Sequence, residues 1–75
     1  MDGYVEGAHG HTHPITKYRK RNDLSLSELA DMVGVNKSTV YRWEIGAIKI
    51  TPTKVKQLSN LIGVSKRALR PDIFG

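Results

Sequence analysis

Residues 25–44, Ser-Leu-Ser-Glu-Leu-Ala-Asp-Met-Val-Gly-Val-Asn-Lys-Ser-Thr-Val-Tyr-Arg-Trp-Glu, decide the fold. Leu26, Leu29, Ala30 and Val33 fall at i, i+3, i+4 and i+7, the spacing that lines one face of an α-helix. Gly34 follows directly, and a residue without Cβ enters left-handed backbone at least cost, so the helix stops there. Asn36 stands where a second helix needs a cap, and Val40 and Trp43 give that helix a buried side of its own. Ala30, four residues before Gly34, is small enough for the two helices to approach closely at a steep angle. Ser25 and Glu28 form a capping box ahead of the first helix, and Leu24 with Leu29 forms a hydrophobic staple.

Two short helices crossing through one tight turn make a helix-turn-helix, whose second helix enters the major groove of DNA. The flanking sequence reads as its scaffold. Pro14 has the φ favoured at a first helical position, with His13 as a makeshift cap. That helix runs to about Asn22, with Ile15, Tyr18 and the stem of Arg19 facing inward and Lys17, Lys20 and Arg21 facing solvent. The recognition helix spans about Lys37 to Glu44 or Ile45. Gly46–Ile50 reads as a loop or a short extended segment. Thr51 caps and Pro52 opens a fourth helix with Val55, Leu58, Leu61 and Ile62 as its core stripe, and Gly63 ends it. Val64 and Ser65 start a short fifth helix through about Leu69, which Arg70-Pro71 breaks. The tail places Ile73 and Phe74 beyond it, where they are expected to pack on the fifth helix or join a dimer contact. The expected fold is all-α, a bundle of five short helices.

Composition bounds the function. The chain has 75 residues, one domain at most, and no Cys, so neither disulfides nor thiolate metal sites staple it. Lys and Arg number 12 against 7 acids, a formal net charge of +5. All the Lys and Arg lie in residues 14–75, which hold five of the acids and so carry a net +7. A basic domain is the electrostatic footprint of a polyanion partner, although charge alone fits a merely soluble basic protein equally well. No apolar run reaches the ~20 residues of a membrane span, so a cytoplasmic location is expected. Residues 1–13, Gly- and His-rich and without periodicity, read as a disordered arm, either native or appended to the domain formed by residues 14–75. His9, His11 and His13 alternate in it, but mobile imidazoles without supporting hydrogen bonds make a poor metal site, so no metal is expected. There are no carboxylates with a shared pocket, no Ser/His/acid set in ordered sequence and no Gly-rich phosphate loop. An enzyme is not expected, and no cofactor is implied.

The pattern Ile15-x-x-Tyr18-Arg19-x-x-Asn22-x-Leu24-Ser25-x-x-Glu28-Leu29-Ala30 resembles the first two helices of the lambda-repressor-like, Cro/repressor-type helix-turn-helix family. Gly34-Val35-Asn36-Lys37-Ser38-Thr39-Val40-Tyr41-Arg42-Trp43-Glu44-x-Gly46 resembles its turn, recognition helix and exit. Val55-x-x-Leu58-x-x-Leu61-x-Gly63-Val64-Ser65 resembles its fourth helix and the cap of its fifth. The resemblance covers residues 15–69, and the closing Leu69–Phe74 is similar to the end of small Cro-like regulators and some antitoxin-associated repressors. Two departures stand out. Ala47–Ile50 intervene after Gly46 where the family often has an early Pro, and Lys37 stands where Gln is common. A Lys only donates, so it favours guanine acceptors or phosphate over adenine.

The site follows from the first turn of the recognition helix. Lys37 and Ser38 suit base edges, Thr39 a phosphate or a thymine methyl, and Arg42, one turn after Ser38, a guanine or a phosphate. Asn36, Tyr41, Ser27, Lys17 and Lys54 are expected at the DNA backbone, with Ser27 placed where family members contact phosphate. Tyr41 serves equally well as core cover, and the alternative for the whole set is a solvated polar face. Trp43 reads as core. Glu44 is either a bystander or, as the resemblance implies, the ion-pair partner of Arg19. The resemblance implies a phage or prokaryotic repressor that binds a palindromic operator on double-stranded DNA as a homodimer, controlled by its concentration or by a partner. The alternatives are an antitoxin that neutralises a toxin while autoregulating its operon, and a coactivator-type bridging domain.

Overall fold

The computed structural model describes residues 13–74. The arm through residue 12, with His9 and His11, lies outside the described residues. Six helices follow one another: α1 (Pro14–Arg21), α2 (Leu26–Val33), α3 (Lys37–Glu44), α4 (Pro52–Ile62), α5 (Lys66–Leu69) and α6 (Pro71–Phe74). Most begin where a side chain satisfies a first-turn N–H. His13 Nδ1 accepts from Ile15 N, Ser25 from Glu28 N, Thr51 from Lys54 N and Ser65 from Ala68 N. Ser25 N in turn donates to the Glu28 carboxylate at 2.7 Å, which closes the capping box and holds that carboxyl below its ordinary pKa.

Gly34 ends α2 in the left-handed region at φ 78°, with its N–H and that of Val35 both donating to Ala30 O. This reversal turns the chain within three residues and sets α3 across α2, the most intimate helix pair of the fold. Ala30 lies buried where they meet. The core gathers Ile15 of α1, Leu29, Ala30 and Val33 of α2, Val40 and Trp43 of α3, Val55, Leu58 and Ile62 of α4 and Leu69 of α5. At ~25 cal/mol per Å2 of apolar surface, this shared cluster outweighs any single cap.

Four expectations are corrected. The helices among the described residues number six, because Pro71, having ended α5, starts another turn in which Ile73 N and Phe74 N donate to Arg70 O. Leu61 is 46% exposed, while Val55, Leu58 and Ile62 at i, i+3 and i+7 take the inner stripe. Ile50 is a full core residue at the end of the loop, which forms no strand among the described residues. Asn36 occupies the N-cap position of α3 but makes no side-chain capping bond. In the tail, Phe74 packs against the core and Ile73 stays exposed.

Candidate nucleic-acid interface

The eight residues of α3 divide cleanly. Val40 and Trp43, three apart, are buried. Lys37, Ser38, Tyr41 and Arg42 lie exposed at i, i+1, i+4 and i+5, one continuous outer stripe, and Thr39 is half-buried at its edge. No acid stands on that stripe. The one acid of α3, Glu44, turns the other way: its carboxylate oxygens accept from Arg19 Nε at 2.9 Å and Arg19 Nη2 at 3.0 Å. The Glu44 side chain is only 8% exposed and that of Arg19 18%. This bidentate pair, with Arg19 Nη1 donating to Leu24 O, bolts α3 to α1 and to the start of α2. The carboxylate's hydrogen bonds hold the guanidinium above its ordinary pKa against the opposing effect of burial.

The N-terminus of α3 presents polar groups outward. The Asn36 carboxamide is exposed and unspent on the cap, and the first-turn N–H groups of Lys37 and Ser38 have no side-chain partner. At its C-terminus, Gly46 takes φ 77° while Ala47 N donates to Arg42 O and Gly46 N to Trp43 O. The following loop is anchored, since Ile50 is buried and its carbonyl accepts from Arg70 Nη1 at 2.6 Å. Arg70 also grips Asp72 through Nε at 2.8 Å and Nη2 at 2.7 Å, and these hydrogen bonds hold the Asp72 carboxyl far below its ordinary range.

The remaining expected contacts scatter. Ser27 is exposed in the first turn of α2 and Lys17 is exposed on α1. Lys54 is engaged within the molecule, its ammonium donating to Val33 O at 3.2 Å and to Gln57 Oε1 at 3.0 Å. Sequence reasoning missed Gln57 and Arg70. Gln57 lies one helical turn after Lys54, an i, i+3 pair that was visible in sequence, whereas the Arg70 bond to Ile50 O has no local signature.

Among the described residues no group of three or more His, Cys, Asp or Glu is placed to hold a metal ion. A groove beside the C-terminal end of α3 has apolar walls of Trp43, Ile48, Leu69 and Pro71, and the charged groups at its edge, Lys49 and Arg70, are both paired with Asp72. None of the helices among the described residues is long and apolar enough to cross a membrane. A stripe of cationic and hydroxyl donors on a rigidly held helix is suited to binding a polyanion and reading base edges.

Comparison with curated proteins and with solved structures finds no match to this chain. A family model described as helix-turn-helix matches residues 15–69, from the first buried residue of α1 to the last residue of α5. The chain belongs to the Cro/repressor-type helix-turn-helix family of DNA-binding transcription regulators.

Proposed function

We propose that this protein is a sequence-specific repressor that binds a palindromic operator as a homodimer, one α3 in the major groove of each half-site. The observation that carries this reading is the acid-free outer stripe of α3, whose opposite face is locked by Trp43 and by the Glu44–Arg19 pair. In this reading Lys37, Ser38 and Arg42 address base edges, with Thr39 at the margin. Lys donates to guanine O6 or N7, Arg pairs bidentately with guanine, and the hydroxyls accept or donate according to the base. Ser27, Asn36, Tyr41 and Lys17 meet phosphate or sugar and set the register. Two copies are required because a single recognition helix reads only a few base pairs, and a twofold dimer matches a twofold site. Repression then follows from occlusion of promoter DNA, with no chemistry by the protein.

The test is selection of duplexes from a random pool, followed by sedimentation of the protein with a selected duplex. The expected result is an inverted repeat with half-sites about one helical turn apart, bound by two copies. Recovery of an asymmetric site bound by one copy contradicts the dimeric reading. Failure to enrich any sequence contradicts sequence-specific binding altogether.

A further inference from the structure

The C-terminus of α2 is held by a clamp that no local rule of helix capping requires. Gly34 N and Val35 N both return to Ala30 O, which leaves the Val33 carbonyl without a backbone partner at the head of the turn. Two side chains of α4 converge on it. Gln57 Nε2 donates to Val33 O at 2.9 Å and Lys54 Nζ donates to the same oxygen at 3.2 Å. Lys54 Nζ also donates to Gln57 Oε1 at 3.0 Å, so the three groups close a triangle. The ammonium stands at the negative end of the α2 dipole, where a cation is favoured. α4 itself is fixed by Val55 and Leu58, which directly follow the two clamp residues in the helix and are buried.

We infer that Lys54 and Gln57 are positioning residues, fixing the Gly34–Asn36 turn through Val33 and hence the angle at which α3 is presented to DNA. This rests on the reading of α3 as the recognition helix, and it replaces the expectation that Lys54 meets a phosphate. A turn of three residues has no interior of its own, so the direction of α3 depends on what holds the two ends. Glu44–Arg19 holds the far end of α3, and the clamp holds the last carbonyl of α2, from which the turn into α3 departs. Loss of the clamp leaves the core in place and allows the near end to sample several orientations. Contacts that need exact placement, those to base edges, suffer more than contacts to phosphate.

The experiment uses the full chain with Lys54→Met, Gln57→Ala and Gln57→Glu, the last of which keeps an acceptor for Lys54 and removes the donor to Val33. Binding to a selected duplex and to a scrambled one is followed over a salt series. Amide hydrogen exchange is read on the free proteins. The clamp predicts that each variant loses about fivefold to tenfold in discrimination between the duplexes, the range of effects carried through positioning contacts. The salt slope stays within about 0.3 of the parent, because no phosphate contact is removed. In the free variants, exchange at Gly34 and Val35, whose N–H groups both donate to Ala30 O, rises at least about tenfold relative to Leu29 and Leu58, the signature of local opening. A slope lowered by about one with discrimination intact in Lys54→Met makes Lys54 a phosphate contact and overturns the inference. Exchange that is unchanged at the turn, or raised equally throughout the core, also overturns it. If the parent itself prefers no duplex, the DNA reading fails, while the exchange data still decide whether the clamp exists.

Discussion

Helices α2 and α3 are each eight residues long and pack on each other across Gly34, yet they dispose of their polar groups in opposite ways. α2 is satisfied within the fold: Ser25 and Glu28 complete its capping box, and Gln57 and Lys54 of α4 take its last carbonyl. α3 has no side-chain cap and leaves Lys37, Ser38 and Arg42 in solvent, although its inner face is as deeply buried as that of α2. Its one acid is drawn off to Arg19. In the function proposed above, equal burial with unequal polar satisfaction is what separates a supporting helix from a reading one. The first is finished by folding, and the second keeps donors for a partner.

The sharpest challenge to this comparison is on the inner faces, which it treats as equivalent. Leu29→Ala on α2 and Trp43→Ala on α3 are each expected to cost about 3–5 kcal/mol, enough to abolish most of the folding free energy of so small a domain. Urea denaturation measures both, and a Trp43→Ala loss below ~1 kcal/mol would mean that α3 is only loosely attached. The next largest effect belongs to the bolt between α3 and α1. Glu44→Gln strands the half-buried Arg19 guanidinium and should cost about 2 kcal/mol, above the ~0–1 kcal/mol of a surface pair. A smaller loss would show that water replaces the carboxylate freely.

The two helix starts should also respond unequally. Ser25→Ala removes a made capping bond and is expected to cost about 1 kcal/mol, whereas Asn36→Ala removes none and should cost under ~0.5 kcal/mol. Equal costs, read as shifts in the thermal midpoint, would break the distinction between the capped and the uncapped helix. A third start, that of α1, adds a pH dependence. His13 Nδ1 accepts from Ile15 N, which only the neutral ring can do, and burial lowers the His13 pKa against the opposing pull of Glu44. The folded protein therefore binds this proton less readily than the unfolded chain. The stabilisation is complete above the ordinary value near 6.5 and declines as pH falls through the lowered value of the folded state. A modest drop in urea midpoint from pH 7.5 to pH 5.5 is expected, and His13→Ser, which keeps a cap and cannot titrate there, should flatten it. A profile unchanged by that substitution would place the effect elsewhere.

The local devices of this comparison were legible in sequence. The capping box, the Gly34 reversal and the burial of Val40 and Trp43 depend on residues within four positions of each other, where helix periodicity and backbone preference act directly. What was not legible depends on distant partners. Leu61 and Ile62 fit the inner stripe of α4 equally by periodicity, and only packing against the other helices chose Ile62. Ile50 sits between Lys49 and Thr51 in what reads as a loop, and both its place in the apolar cluster and the Arg70 bond to its carbonyl come from partners distant in sequence. Lys54 reads in sequence as a cation for the DNA backbone, and nothing local shows that Val33 O, 21 positions away, lies within reach of its ammonium. Asn36 shows the complementary limit, since its position as the cap of α3 was readable and the orientation of its side chain was not.

The central claim, that the outer stripe of α3 reads sequence, is tested most directly by Ser38→Ala and Arg42→Ala. Each variant is titrated against a selected operator duplex and against duplexes with every base pair of one half-site changed in turn. The account predicts a loss of about 1–3 kcal/mol on the operator for each substitution, with preference relaxed at one or two defined base pairs and binding to scrambled DNA much less affected. Full retention of the base preference at every position in both variants would contradict it and move the reading surface off α3.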